Sequence, residues 1–180
     1  MNNIKRLIIT ILAIVGFNTA SSAQDGVRHV QGINLSGISY GIAPGSKGST
    51  YIIGLDYSIY LRKNWILNLS GLYETGTIQT TRAKNYLFNG GVDFTAFQAG
   101  NSFYFNMGLS LIGGREMLSS TENSDKKNSM VGGLSGNVNI EMYLTDRLVL
   151  QVKAEQIYLP GSYLGHWYPA FHAGLKYYIF

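Results

Sequence analysis

Two neighbouring stretches of this chain alternate apolar and polar residues with a period of two, and a short turn separates them. Residues 134–142 place apolar side chains at even positions and polar ones at odd positions, and residues 148–155 keep that phase. Successive side chains of a β-strand point to opposite faces, so each stretch is predicted to form a strand with one apolar and one polar face. The segment Leu144-Thr145-Asp146-Arg147 is the turn that would hold the two strands antiparallel.

The same alternation recurs along most of the chain and predicts eight strands. They cover residues 28–41, 51–61, 65–74, 86–96, 103–111, 134–142, 148–155 and 167–179. The first strand is the least regular: Ile33 and Leu35 lie on one face whereas Val30, Ile38 and Tyr40 lie on the other, so a β-bulge or an ambiguous register is expected there. The connections are predicted to be short after the second, fourth and sixth strands and longer after the others.

Few charges interrupt the apolar faces. Charged residues make up 13% of the chain, about half the fraction that is typical of soluble domains. Strands of about 9–11 residues, joined by alternately short and long connections, are typical of outer-membrane barrels. A sheet exposed to lipid must also close on itself to satisfy its edges. We therefore predict an all-β fold, an eight-stranded antiparallel transmembrane β-barrel. The alternative is a soluble lipocalin-like barrel, which would turn the apolar faces inward.

The polar faces of a transmembrane barrel would line its lumen. Eight charged residues share that inward phase and are predicted to form a lumenal polar network: Asp56, Glu74, Asp93, Glu141, Arg147, Lys153, Glu155 and Lys176. A barrel of eight strands is just wide enough for side chains to fill it. These groups are therefore expected to pair with one another, and a wide diffusion pore is not expected.

The longest predicted connection, residues 115–129, carries most of the charge expected outside the strands. Its charged residues are Arg115, Glu116, Glu122, Asp125, Lys126 and Lys127. Such a run is consistent with a solvated face and equally with a partner-binding surface, and the sequence leaves both interpretations open.

The first 23 residues have the features of a secretory signal peptide, which would leave residues 24–180 as the barrel domain. Lys5 and Arg6 are its positive start, residues 7–17 its apolar stretch and residues 21–23 a small-residue cleavage site. The alternative is an uncleaved membrane anchor, which would need about 20 apolar residues. The expected location is the outer membrane, reached by export through this signal.

Composition excludes several functions. The chain has no cysteine, so disulfides, thiolate metal sites, cysteine nucleophiles and a lipoprotein anchor are excluded. Once Lys5 and Arg6 leave with the signal peptide, 12 basic and 10 acidic residues remain, a net charge of +2. That balance argues against direct nucleic-acid binding driven by bulk charge.

No group of residues predicts catalysis, a cofactor or a metal. His166 and His172 are six residues apart, or about 20 Å along a strand, which is too far for both to bind one metal ion. A lipid hydrolase would need a nucleophile beside a base and an orienting carboxylate, and no local motif brings these together. We therefore predict that the chain is not an enzyme, with polar lumenal or rim positions for the histidines.

Three patches of the sequence resemble a known family. The stretch from Glu141 to Leu150, with Tyr143-Leu144-Thr145-Asp146-Arg147 as its most specific part, is similar to the TraO family, transfer proteins of conjugative transposons in Bacteroidetes. The ending from Phe171 to Ile179 and the early Gln31-Gly32-Ile33-Asn34-Leu35 resemble the same family, in the same order along the chain.

The resemblance implies an outer-membrane barrel with a structural or accessory role in a mating apparatus. Its partners would be the lipid bilayer and other proteins of that apparatus, and the resemblance brings no catalytic residues. The alternative function is that of a general small outer-membrane barrel, acting in adhesion, envelope integrity or small-solute passage. Transfer genes flanking this gene would favour the first function.

Overall fold

The part of the chain that the structure describes folds into eight β-strands that close into a barrel. The computed structural model describes residues 31–45, 48–62, 64–78, 81–120 and 126–179. The strands are β1 (Asn34–Gly45), β2 (Gly48–Arg62), β3 (Trp65–Ile78), β4 (Thr81–Ala99), β5 (Phe103–Ser120), β6 (Lys126–Tyr143), β7 (Leu148–Tyr158) and β8 (Trp167–Ile179). Each strand pairs antiparallel with the next, and β8 pairs with β1. The prediction of an eight-stranded antiparallel barrel is confirmed, whereas the predicted signal peptide, residues 1–23, lies outside the described residues.

The two ends of the barrel differ. At one end β1 begins and β8 ends, with Asn34 opposite Ile179, and the turns from β2 to β3, β4 to β5 and β6 to β7 lie there. We call this end the terminal rim. At the other end, the far rim, β1 connects to β2, β3 to β4, β5 to β6 and β7 to β8. Within the described ranges, no helix is long and apolar enough to cross a membrane.

Side chains alternate between the outer wall and the lumen, with the apolar face outward as predicted. In β2, for example, Leu55 is 67% exposed on the wall, whereas Ile52 and Tyr60 are fully buried in the lumen. The outward faces of all eight strands carry large exposed apolar side chains. A contiguous exposed apolar surface of this extent is rare on soluble monomeric proteins. It indicates that an apolar environment or a partner covers the wall.

The lumen is filled in three levels. A terminal cluster near the terminal rim contains Leu35, Tyr60, Ile66, Tyr104, Tyr143 and Val149. A far cluster toward the far rim contains Ala43, Ile52, Leu72, Ala83, Leu87, Ile112, Val131, Ile157, Leu159, Leu164, Tyr168 and Ala170. Polar residues lie between them: along β7, Val149 is followed by Gln151, Lys153 and Glu155 and then by Ile157. The lumen is therefore apolar at both ends of the barrel and polar only between them, whereas the sequence predicted a polar lumen throughout.

The strands extend further toward the far rim than the sequence predicted. Residues 75–78 and 81–85, expected in a polar loop, pair with each other as the ends of β3 and β4. Residues 115–119 and 126–129, also expected in a loop, belong to the β5–β6 ladder, which ends with Ser119 opposite Lys126. Backbone hydrogen bonds do not depend on side-chain polarity, so a ladder continues beyond the apolar band of its strands. The predicted alternation in connection length is wrong, because two residues separate β1 from β2 and β3 from β4.

The first strand is regular. The pairing of β1 with β2 runs without a shift from Asn34 opposite Ile59 to Gly45 opposite Gly48, so this strand has one register and no bulge over residues 34–45. Residues 28–30 of the predicted strand lie outside the described residues. Leu35 points inward because the lumen is apolar at the terminal rim, and Ile38 points to the wall. Register shifts occur instead in β2 between Tyr60 and Arg62 and in β4 between Thr95 and Phe97, both at the terminal rim.

Candidate functional site

A buried ion pair joins β6 to β8 in the middle of the lumen. The ammonium Nζ of Lys176 lies 2.9 Å from Oε1 of Glu141, and both side chains are almost fully buried. The Tyr60 hydroxyl donates to the other oxygen of Glu141 at 2.8 Å. Lys176 also donates to the Ser58 hydroxyl at 2.8 Å. The pair therefore connects side chains of β2, β6 and β8, which face one another across the barrel.

A second ion pair lies one level further toward the far rim. Nζ of Lys153 is 2.9 Å from Oε2 of Glu155, and Nε2 of His172 is 3.7 Å from the same oxygen. The other oxygen of Glu155 accepts hydrogen bonds from Nδ2 of Asn89 and from the Ser135 hydroxyl. Charged and neutral donors thus surround this carboxylate, which compensates the cost of its burial.

Asparagine amides hold the carboxylate of Asp93. Nδ2 of Asn139 donates to it at 2.6 Å and Nδ2 of Asn137 at 3.1 Å. Gly108, opposite Asp93 on β5, makes room for the group, because a Cβ at that position would overlap the carboxylate. A glycine inside a strand often marks such a close approach. Asn139 in turn accepts from Nδ2 of Asn106 at 2.9 Å, so a chain of amides crosses from β5 to β6.

The polar level encloses little free volume. Asp56 accepts a hydrogen bond from the Ser39 hydroxyl at 2.6 Å and lines a cavity of about 20 Å³ together with Asp93, Lys153 and Lys176. A cavity of this size holds about one water molecule. The predicted network residues thus lie in a packed level, between two apolar clusters that fill the lumen on either side.

Seven of the eight residues predicted for the lumenal network point into the lumen, and one does not. Arg147 is exposed in the turn between β6 and β7. Its odd number matches the inward residues of both strands, but the alternation of inward and outward side chains stops at the turn. Glu74 is fully buried, but it lies beyond the polar level, next to Leu72 of the far cluster, where Nδ2 of Asn85 donates to it at 2.8 Å.

The network also contains uncharged side chains that were not among the predicted residues. They are Ser39, Ser58, Tyr60, Asn68, Asn89, Thr95, Asn106, Ser135, Asn137 and Asn139. Each shares the inward phase of its strand, so the signal was present in the alternation. The prediction used formal charge alone and did not extend to the asparagines and hydroxyls of the same faces.

At the far rim, residues 159–166 between β7 and β8 form a cap segment that folds over the lumen. Leu164 in this segment is fully buried, and its backbone lies so close to Gly45 of β1 that a Cβ there would be 2.8 Å from the Leu164 carbonyl oxygen. Gly161 and Gly165 have positive φ angles of 90° and 121°, which glycine adopts readily. The segment therefore closes the far rim over the far cluster.

Glu116 ties the cap segment to β5. Its carboxylate accepts hydrogen bonds from the Ser162 hydroxyl and from the backbone N–H of Tyr163, both at 2.9 Å. Glu116 is 1% exposed, so the prediction that it belongs to an exposed, charged loop is wrong. Its neighbour Arg115 is exposed on the outer wall of β5.

The remaining residues of the predicted partner-binding loop have different positions. Lys126 and Lys127 belong to β6 by backbone pairing with Ser119 and Leu118, and their side chains are not described. Glu122 and Asp125 lie outside the described residues. A partner-binding role for this region stays a prediction.

Removing the Glu116 carboxylate is expected to loosen the cap segment without unfolding the barrel. In Glu116→Ala the Tyr163 N–H and the Ser162 hydroxyl lose a charged acceptor, which stabilises by about 1.5–3 kcal/mol per hydrogen bond in proteins. Hydrogen exchange at Tyr163 should therefore accelerate by about tenfold or more, while amides in the middle of β4 and β5 keep their protection. Equal exchange at Tyr163 in both proteins would contradict this role of Glu116.

The outer wall carries aromatic pairs toward both rims. Trp65 and Phe94 contact each other near the terminal rim, with ring centroids 5.2 Å apart. Tyr73 with Tyr86, Tyr40 with Tyr51, and Tyr158 with Trp167 form pairs on the other side of the band, at 5.1, 6.4 and 4.5 Å. Between these levels lie exposed aliphatic side chains such as Leu55 and Leu109. Apolar bands flanked by aromatic residues are typical of barrels in outer membranes.

Three solved structures share this fold at low sequence identity. Ail, the attachment invasion locus protein of Yersinia pestis, is 13% identical with a TM-score of 0.55, over 83% of this chain and 100% of that one. Neisserial surface protein A is 11% identical with a TM-score of 0.61, over 81% and 95%. The outer membrane protein OprG from Pseudomonas aeruginosa is 9% identical with a TM-score of 0.58, over 86% and 99%. At these identities the likeness extends to the fold alone.

A family model gives the more specific match. The model described as "Conjugative transposon protein TraO" matches residues 27–179, which include all eight strands. No curated protein matches the sequence.

Proposed function

The chain belongs to the TraO family of conjugative transposon proteins, and from this membership we propose that it is an outer-membrane β-barrel of the apparatus that transfers a conjugative transposon. Its role there is structural or accessory and not enzymatic. The family match is the observation that carries the proposal, because a small barrel by itself is compatible with many functions.

The outer wall supports a location in the outer membrane. In a bilayer, apolar side chains can stay on the outer surface of a protein because no water surrounds them. Strands cross a bilayer only in a closed barrel, which has no free sheet edges. The exposed wall residues and the closed pairing of β8 with β1 meet both conditions. Residues 1–23 would direct export as a cleaved signal peptide, leaving residues 24–180 in the membrane.

The expected orientation places the terminal rim in the periplasm. Barrels of this kind have short periplasmic turns and longer external loops. The long connection between β7 and β8, residues 159–166, lies at the far rim. The far rim, with the ends of β4, β5 and β6 and the cap segment, would then face the outside. Contacts with other proteins of the apparatus would form on the two rims, because lipid covers the wall between them.

The filled lumen favours an anchoring role over transport. Buried side chains occupy the three levels from the terminal cluster to the far cluster, and the cap segment lies over the last one. A DNA strand or a large solute would have to displace the buried ion pairs of Glu141 and Glu155. We therefore propose that transferred DNA does not pass through this barrel.

Deletion of the gene in a donor cell is expected to lower the transfer frequency of the element, and a plasmid copy of the gene should restore it. A second plasmid should encode a chain with residues 120–125 replaced by Asn-Gly, which keeps the pairing of Ser119 with Lys126. This variant should still reach the outer membrane, because the replaced residues lie beyond the last pair of the β5–β6 ladder. Loss of transfer with normal insertion would assign partner contacts to this hairpin.

The result that contradicts the proposal is unchanged transfer after deletion in a cell with no related gene. A general role in adhesion or envelope integrity would then be the better account. The hairpin replacement has its own control, since heat-modifiable migration in a gel and surface labelling report insertion separately from transfer.

A further inference from the structure

Three basic side chains stand together on the outer wall, at the side of the apolar band that faces the far rim. They are Arg82 and Lys84 on β4 and Arg115 on β5, and we call them the basic strip. All three occupy outward positions in the alternation of their strands, with Arg82 and Arg115 exposed and Lys84 half-buried. The lumenal network does not use any of them.

Strand pairing holds the three charges close together. Arg82 and Lys84 are two residues apart on one strand, about 7 Å along it. Arg115 is directly opposite Tyr86, so its diagonal neighbour across the β4–β5 ladder is Lys84, at about 7–8 Å. Like charges at this separation repel each other, and a bound anion would relieve that repulsion.

No carboxylate shares this face in the described strands. Every Asp and Glu whose side chain is described in a strand points into the lumen: Asp56, Glu74, Asp93, Glu116, Glu141 and Glu155. The wall neighbours of the basic strip are neutral, namely Thr75 and Thr77 on β3 and Met117 and Ser119 on β5. Among the described residues this surface has no anionic neighbour, and the partner that it fits is an anion.

The basic strip is continuous with the apolar band. Arg115 lies between Tyr86 and Met130, which are 50% and 80% exposed on the wall. Tyr86 pairs with Tyr73 at 5.1 Å, at the level where aromatic residues meet the membrane interface. Long basic side chains at such a level lay their stems along apolar surface and direct the charge to the headgroups.

We propose that the basic strip binds the phosphate groups of a phosphorylated glycolipid, such as lipid A, in the outer leaflet of the outer membrane. The proposal rests on the proposed membrane location and adds a specific lipid site to it. Arginine presents a planar fork of donors that matches phosphate oxygens, so Arg82 and Arg115 are expected to bind the phosphates bidentately. Lys84 contributes a point charge between them, while the acyl chains lie on the apolar wall below.

A lipid is favoured over a nucleic acid because of this position. A polyanion in solution needs a charged surface that extends away from the membrane, whereas Arg115 stands among apolar and aromatic wall residues. A phosphorylated lipid satisfies both parts of the surface at once, with its phosphates on the basic strip and its chains on the band.

The test compares the wild-type chain with two variants in neutral-lipid nanodiscs, after heat-modifiable migration has shown that each has inserted. One variant is Arg82→Gln/Arg115→Gln. The matched control is Arg62→Gln/Arg147→Gln, which removes two exposed arginines at the terminal rim. Binding is measured by native mass spectrometry with diphosphorylated lipid A and with its dephosphorylated form as the probes.

We expect the basic-strip variant to bind diphosphorylated lipid A about tenfold or more weakly than wild type, because two charge-assisted contacts are lost. The control variant should bind like wild type, and the dephosphorylated lipid should bind weakly to all three proteins. Equal affinity of the two variants, or wild-type affinity in the basic-strip variant, would overturn the proposal. Displacement of lipid A by a single-stranded oligonucleotide at equal concentration would also overturn it and assign the strip to nucleic acid.

This result is independent of transfer activity. A chain that fails to insert into nanodiscs contradicts the membrane location itself, whereas an inserted chain without lipid A binding contradicts only the lipid site.

Discussion

Replacing Lys176 with methionine is expected to lower the free energy of unfolding by about 3–5 kcal/mol, because the carboxylate of Glu141 stays buried without its cation. The two groups are 2.9 Å apart, and neither side chain is more than 3% exposed. Methionine keeps most of the side-chain volume, so the change removes the charge and leaves the packing largely intact. The Tyr60 hydroxyl would remain as a donor to Glu141, but it carries no charge. Urea titration of the protein folded in lipid vesicles measures the loss.

Two further variants make this prediction specific. The double variant Lys176→Met/Glu141→Gln should recover at least half of the loss, because it removes the uncompensated charge as well as its partner. Arg147→Met removes a positive charge from the exposed turn between β6 and β7 and should cost less than about 1 kcal/mol. A Lys176→Met protein as stable as the Arg147→Met protein would show that the lumen is hydrated enough to solvate Glu141.

The outer wall could be predicted from the sequence because every second residue of each strand must be apolar. An apolar environment constrains each outward position independently, so the alternation in β2 from Tyr51 to Leu61 is readable without knowledge of the neighbouring strands. The same holds for β5 and β8. Eight such strands in one chain with few charges leave a closed barrel as the fold that satisfies the edges of the sheet.

The contacts of the lumen could not be predicted in the same way. Glu141 meets Tyr60 across 81 positions of sequence and Lys176 across 35, and those meetings depend on the registers of several strands together. Alternation predicts the face of the sheet on which a side chain lies, but it does not predict the register in which two strands pair. The separation of the lumen into a polar level between two apolar clusters follows from those registers.

The two errors at the candidate site have different physical origins. Glu116 was assigned to a loop because its neighbours are charged, although it has the inward phase of Ser110 and Ile112 on the same strand. Continuing the alternation of β5 would have placed it in the lumen. Arg147 has the inward phase of Gln151, but it precedes the first residue of β7. The alternation between inward and outward side chains holds only for residues that are paired in a strand. Arg147 lies in the turn, so its odd number does not predict an inward side chain.

The second large effect is expected on the outer wall, where Leu55→Arg should lower the free energy of unfolding in lipid by about 2–4 kcal/mol. Leu55 is 67% exposed and lies midway along the wall face of β2, opposite Ile38 of β1, which is 64% exposed. If bilayer surrounds the wall, a guanidinium at this depth must leave water or thin the membrane locally. On a soluble barrel the same exposed position would tolerate arginine within about 0.5 kcal/mol. The magnitude therefore distinguishes the two environments.

Depth provides the matched control for this prediction. Ser49 lies on the same face of β2, six residues closer to the far rim and about 20 Å along the strand from Leu55. Ser49→Arg should cost at most about 1 kcal/mol, because the penalty for arginine falls toward the membrane interface. Both variants are unfolded with urea in vesicles of the same lipid, and the difference between their losses is compared. Similar small losses at the two positions would place the wall in water and contradict the membrane location.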